Sequence, residues 1–133
     1  MKHRILVVDD DAISLTQTQL LLEDHGYLVD TAGSGEDALK RFNANPEGYA
    51  LVVLDHQMKG MNGPETAKAL IGINPETYIL MYSLDKSRDA LKEALRSGVI
   101  DFLDKGGDVS VFLENVKSWC RKYEDTNQTI TSE

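Results

Sequence analysis

The stretch Leu51-Val52-Val53-Leu54-Asp55 constrains the chain more than any other. Consecutive apolar residues, two of them β-branched, run without polar alternation into a carboxylate. Such a run reads as a strand buried on both faces, as in a parallel sheet covered by helices. The charge ends the strand, at a place where solvent or a bound ion can reach it. Open α/β sheets bind ligands at the carboxyl ends of their strands. Asp55 is therefore the first candidate for a reactive group.

The same grammar recurs along the chain. Ile5-Leu6-Val7-Val8 is a second buried run, and it ends in Asp9, Asp10 and Asp11. A helix is expected from about Ala12 to His25, with Asp10 or Asp11 at its N-cap, Leu20 and Leu21 inward, and Gly26 as its stop. Tyr27 to Thr31 reads as a short strand. Ser34 caps a helix whose apolar side is Ala38, Leu39 and Phe42, and residues 43–48 form a loop. After the strand from Ala50 to Leu54 comes a loop from His56 to Gly63, then a helix from Glu65 to Gly72 with Pro64 at its first position. Tyr78 to Tyr82 is a strand ending at Ser83. A helix from Ser87 to Ser97 buries Leu91, Ala94 and Leu95. Val99 to Leu103 is a fifth strand, ending at Asp104-Lys105. The last helix, from about Val109 to Tyr123, has the clearest period, in Phe112, Val116, Trp119, Cys120 and Tyr123. Residues 124–133 are polar and aperiodic, and read as a disordered tail or the start of a linker.

A βα unit repeated five times predicts an α/β domain. Its expected core is a five-stranded, doubly wound parallel sheet of flavodoxin-like order, with helices on both faces. At 133 residues there is room for one domain with a full core. The single cysteine excludes an intrachain disulfide, fits a reducing compartment, and is expected to be a buried apolar residue. The net charge of −8 argues against a nucleic-acid-binding surface and suits carboxylates gathered around a cation. No stretch has the length of a signal-peptide core or a membrane span, which places the protein in the cytoplasm.

Parallel strands put the terminal groups Asp9, Asp10, Asp55, Ser83 and Lys105 on one sheet edge. Each has a bland reading alone: a helix cap, a turn residue, a solvated charge. Together they conflict, because adjacent carboxylates repel unless something positive sits between them. Mg²⁺, which favours one or two carboxylates with water and phosphate oxygens, resolves the conflict. A carboxylate beside Mg²⁺, an ammonium and a hydroxyl is arranged for in-line phosphoryl transfer, with Asp55 as nucleophile.

These residues resemble a known family. Val8-Asp9-Asp10, the strand into Asp55, Met58, Gly60, Gly63, Ser83 and Asp104-Lys105 together are similar to the receiver domain of two-component response regulators, over about residues 4 to 123. The resemblance implies a CheY-like domain over residues 1–123. Asp55 would accept a phosphoryl group from a histidine kinase or histidine phosphotransfer protein. Asp10, Asp55 and the Gln57 backbone carbonyl would hold Mg²⁺, with Asp9 acting through water. Ser83 and Lys105 would contact the phosphoryl group, and Phe102 would be the switch aromatic. The readout would be the surface of the fourth helix, fifth strand and last helix, and homodimers are compatible with it. Such a domain is a switch, not an enzyme in the ordinary sense, and its output domain or partner is not encoded in these residues.

The match has departures. Lys59 and Gly106 stand where the family usually has proline, Leu84 where a small residue is common, and Gln57 and Asp85 where phosphoryl lifetime is tuned. Lys59 implies a less rigid loop, and Gly106 a trans peptide bond, since a cis bond before glycine costs about 2.5–4 kcal/mol. Bulk at Leu84 would narrow access to the phosphoryl group. These departures motivate one alternative, a pseudo-receiver that binds partners without being phosphorylated. A second alternative, a haloacid-dehalogenase-type phosphatase, requires an aspartate two residues after the nucleophile; Gln57 is there instead. His56, with no histidine near it in sequence, reads as a plain loop residue.

Overall fold

The computed structural model describes residues 3–131. Its elements alternate throughout: β1 (Arg4–Val8), α1 (Ala12–Asp24), β2 (Leu28–Ala32), α2 (Gly35–Ala44), β3 (Leu51–Leu54), α3 (Gly63–Ile73), β4 (Ile79–Ser83), α4 (Arg88–Ser97), β5 (Asp101–Asp104) and α5 (Val109–Thr131). The strands form one sheet in the order β2-β1-β3-β4-β5, and every pairing is parallel. This is the expected doubly wound, flavodoxin-like sheet. β3 is its central strand, flanked by β1 and β4, and strands with neighbours on both sides and helices on both faces carry no polar alternation in their buried runs.

Side chains alternate across the sheet and build two cores. Leu6, Val8, Val52, Leu54 and Met81 pack with Ala38 and Phe42 of α2, Leu70 of α3 and Ala94 of α4. Ile5, Val7, Leu51, Val53, Leu80 and Tyr82 pack with Leu22 of α1 and with Phe112, Val116 and Cys120 of α5. Burying each large side chain of this kind contributes about 1.5–3 kcal/mol. The rings of Tyr82 and Phe112 stack at 4.1 Å, so α5 is anchored beside the end of β4. Burial also pushes the Cys120 thiol up to about 12, which leaves it as the inert apolar residue expected.

Several elements differ from the sequence reading. α1 turns Thr18 and Leu22 inward, with Leu21 half-buried against the core as expected, while Leu20 is exposed. Three leucines in a row give no period, so the i, i+4 pair with a threonine decides the face. α4 buries Ala90, Ala94 and Ser97 and leaves Leu91 and Leu95 exposed. Small residues let that helix approach its neighbours closely, which pushes the leucines outward. α3 starts at Gly63, capped by Asn62 in a reciprocal capping box with Glu65, so Pro64 is not the first helical residue. β2 and β5 lie one and two residues later than expected at their starts. α5 does not stop near Tyr123 but continues to Thr131 through the segment expected to be a disordered tail or linker start. Propagating an anchored helix adds a hydrogen bond for each residue fixed, even without an apolar face.

Candidate functional site

The site lies where β1, β3, β4 and β5 end. Asp11 N-caps α1, its side chain accepting from Ile13 N. That leaves Asp9 and Asp10 in the turn before the cap. Asp9 is buried, and Asp9 Oδ1 accepts from Asp11 N at 3.0 Å. β3 pairs with β1 so that Leu54 stands beside Val8, and Asp55 N donates to Val8 O at 3.0 Å. Register alone therefore brings Asp55 next to Asp9. Carboxylate oxygens of Asp9, Asp10 and Asp55 all lie within 4.8 Å of one another.

Lys105 reaches in from the end of β5. Its Nζ donates to Asp9 Oδ2 at 2.6 Å and to Ser14 Oγ at 3.0 Å, and stands 3.7 Å from Asp55 Oδ1. Its main partner is therefore Asp9, with Asp55 second. Ser14, on the first turn of α1, is a member of this network that sequence reasoning did not single out. A serine at a helix start carries no signal of a partner 91 residues away.

The electrostatics separate the two buried acids. Burial pushes Asp9 up, but the hydrogen bonds from Lys105, Asp11 N and Ser14 outweigh it and leave its carboxyl below the usual range. Asp55 goes the other way. Burial raises it, Lys105 opposes this, Asp9 adds repulsion, and the His56 N–H stabilises its charge; the result is a carboxyl pushed up to about 6. Of the three clustered carboxylates, Asp9 and Asp55 share the Lys105 ammonium, and Asp55 is the one whose carboxyl is pushed up. Hard oxygen donors with uncompensated negative charge fit a divalent cation such as Mg²⁺.

The other predicted residues sit around this centre. Ser83 is buried at the last position of β4, and its Oγ accepts from Asp85 N at 3.1 Å. Gln57 is exposed, and its side chain donates to Asp85 Oδ2 at 2.9 Å, bridging the loops that follow β3 and β4. Phe102 on β5 is half-buried against the core on the α2–α3–α4 side. Leu84 is exposed and faces the position of Gly106. No cis peptide bond occurs among the described residues, so the bond before Gly106 is trans as expected.

Two loop residues depart from their sequence reading. His56 is buried, with its Nε2 3.5 Å from Glu93 Oε2 of α4. The cause is Gly63, whose N–H bonds the His56 carbonyl and whose missing side chain lets α3 approach the backbone of residues 55–56. The loop at Lys59 is also firmly held. Lys59 N donates to Asp10 Oδ2 at 2.8 Å, and Met61 N donates to Glu36 Oε1 at 3.2 Å.

Comparison with known proteins agrees with this geometry. The family model for the response regulator receiver domain matches residues 5–117. The chain belongs to the response regulator receiver domain family. Among curated relatives, the transcriptional regulatory protein ZraR of Salmonella typhimurium is 34% identical over 98% of this chain. The chain spans 29% of that protein's length. Among solved structures, a CheY-like receiver domain protein of Methanospirillum hungatei superposes with a TM-score of 0.86 at 25% identity, covering 95% of this chain and 99% of its own. The CheX-CheY-BeF3-Mg complex of Borrelia burgdorferi gives 0.81 at 25% identity, with 87% of each chain covered. As a receiver domain of two-component response regulators, the chain has an acidic cluster suited to a phosphorylation site. None of its described helices is long and apolar enough to cross a membrane.

Proposed function

We propose that this receiver domain accepts a phosphoryl group on Asp55 in a Mg²⁺-dependent reaction. The donor is a histidine kinase or histidine phosphotransfer protein of the cytoplasm. The observation that carries this reading is the convergence of Asp9, Asp10 and Asp55 with Lys105 at one sheet edge. In the reaction the donor's P–N bond breaks as the P–O bond to Asp55 forms, giving an acyl phosphate. Mg²⁺ would be held by Asp10, Asp55 and the Gln57 carbonyl, with Asp9 acting through water, and would neutralise charge on the transferring group.

The remaining work belongs to the chain itself. Lys105 stands 3.7 Å from Asp55 Oδ1 and pairs with phosphoryl oxygens once they are attached there. Ser83 exchanges its bond from Asp85 N for one to the phosphoryl group. Moving that hydroxyl frees the space into which Phe102 turns. The output surface is formed by α4, β5 and α5. Exposed Leu84, Leu91, Leu95, Val109 and Val111 support it, since a partner or a second copy of the chain gains by covering them. The domain then acts as a switch whose only chemistry is on itself.

Intact mass spectrometry tests the reading directly. Wild-type protein incubated with Mg²⁺ and a small acyl phosphate should gain one phosphoryl mass, and Asp55→Asn should gain none. No gain in the wild type, under conditions that preserve acyl phosphates, makes the protein a pseudo-receiver. A gain that survives Asp55→Asn moves the acceptor elsewhere.

A further inference from the structure

Asp10 is exposed and has two buried or half-buried acids beside it. Repulsion from Asp9 and Asp55 should drive its side chain out into solvent. It nevertheless lies with an oxygen within 4.8 Å of theirs. In that same rotamer, Asp10 Oδ2 accepts the backbone N–H of Lys59 at 2.8 Å, across 49 residues of sequence. The donor is fixed in place. Gly60 turns the chain at φ +74°, Glu36 takes the Met61 N–H, and Asn62 and Glu65 lock the start of α3. The amide thus belongs to a braced loop and does not follow Asp10 passively.

We propose that the backbone N–H of Lys59 is a positioning group for the cation site. It holds Asp10 against repulsion in the rotamer that faces Asp9 and Asp55, and so raises the affinity of the site for Mg²⁺. This rests on the reading of those aspartates as cation ligands. Ligating carboxylates are commonly oriented by such outer hydrogen bonds, and losing one costs about 10–100-fold in affinity. The side chain of Lys59 adds an exposed positive charge to the same loop, which would act in the opposite sense on a bound cation. Backbone and side chain can therefore be separated. Lys59→Ala removes the ammonium and keeps the N–H; Lys59→Pro removes both.

Mg²⁺ is titrated into the wild type and both variants, followed by calorimetry and by NMR shifts of residues 9–11. Lys59→Ala should bind at least as tightly as the wild type. Lys59→Pro should bind about tenfold or more weakly than Lys59→Ala, although both lack the ammonium. Equal or tighter binding by Lys59→Pro overturns the proposal and leaves the cation site standing. Absence of Mg²⁺ binding by the wild type overturns the cation site and the proposal with it. A second measurement needs no cation and no proline. The Lys59 amide should exchange slowly with solvent in the wild type and faster in Asp10→Ala, and unchanged exchange overturns the proposal.

Discussion

Asp55→Asn should stabilise the cation-free protein at neutral pH, although it removes a charge 3.7 Å from an ammonium. The Asp55 side chain is 14% exposed, and burial is the largest influence on it, ahead of Lys105 and Asp9. Its carboxyl rises from 3.8 to about 6. Each pH unit between those values is worth about 1.4 kcal/mol, so holding Asp55 ionised in the fold costs on the order of 3 kcal/mol. A carboxyl raised by folding binds its proton more tightly in the folded state. The penalty is therefore absent below 3.8, grows as pH rises towards about 6, and is complete at pH 7. Urea unfolding of wild type and Asp55→Asn in a chelator at pH 7 should show the variant ahead by up to about 3 kcal/mol. At pH 4 most of that advantage should be gone. Adding Mg²⁺ at pH 7 should narrow the gap, because the cation stabilises the wild-type carboxylate. A variant less stable than wild type at pH 7, or a difference that does not change with pH, refutes the reasoning.

Lys105→Met leaves Asp9 buried without its 2.6 Å partner and should cost about 3–5 kcal/mol in chemical denaturation at pH 7. Asp9 is held below 3.8, so the pair's stabilisation is lost as pH falls through that lowered value, and the deficit should shrink there. Gly63→Ala would drive a Cβ into the Asp55 carbonyl oxygen and to 2.8 Å from His56 Cα, both backbone atoms. It should lower the melting temperature sharply, whereas Gly72→Ala, in open space on the same helix, should add about 0.5–1 kcal/mol. Gln57→Ala removes the 2.9 Å bridge to Asp85 and should shorten the lifetime of phosphorylated Asp55 by admitting water. Asp85→Ala should do the same, and the double variant should do no more than either.

The central strands and the gathering of polar groups at one sheet edge were legible because a parallel sheet leaves a plain mark: apolar runs that end in polar groups. Partnerships were less legible. Lys105 was placed at the edge by its strand, but its bond to Asp9 joins residues 96 apart and has no local trace. Helix faces failed where apolar residues outnumbered the face they had to fill, as at Leu20 and at Leu91 and Leu95. Pro64 drew the start of the third helix in the sequence reading, and the Asn62–Glu65 capping box that sets it was not read. His56 was unreadable for a different reason. Its burial depends on how closely Gly63 of α3 approaches the backbone before it, a tertiary fact.

The two positions without the family's usual proline make one argument together. A proline restrains its loop by fixing φ and gives up an N–H. Here the restraint is absent and the N–H is used. Lys59 N donates to Asp10 Oδ2 at 2.8 Å, and Gly106 N donates to Asp104 Oδ1, also at 2.8 Å. The sequence suggested a looser loop at Lys59, but each loop is held by an aspartate instead of a ring. The two restraints differ in what they depend on. A fixed φ holds in every state of the protein, whereas an N–H bond holds only while its carboxylate stays in place. Asp10 lies in the acidic cluster, and Asp104 is also paired with Lys86 at 3.1 Å, in the loop that leads to α4. Both loops are thereby held by carboxylates at the site or beside it, since Asp104 adjoins Lys105, whose Nζ pairs with Asp9 and stands 3.7 Å from Asp55 Oδ1. A chain built this way should transmit events at Asp55 into its β3–α3 and β5–α5 loops more readily than one in which proline holds them regardless.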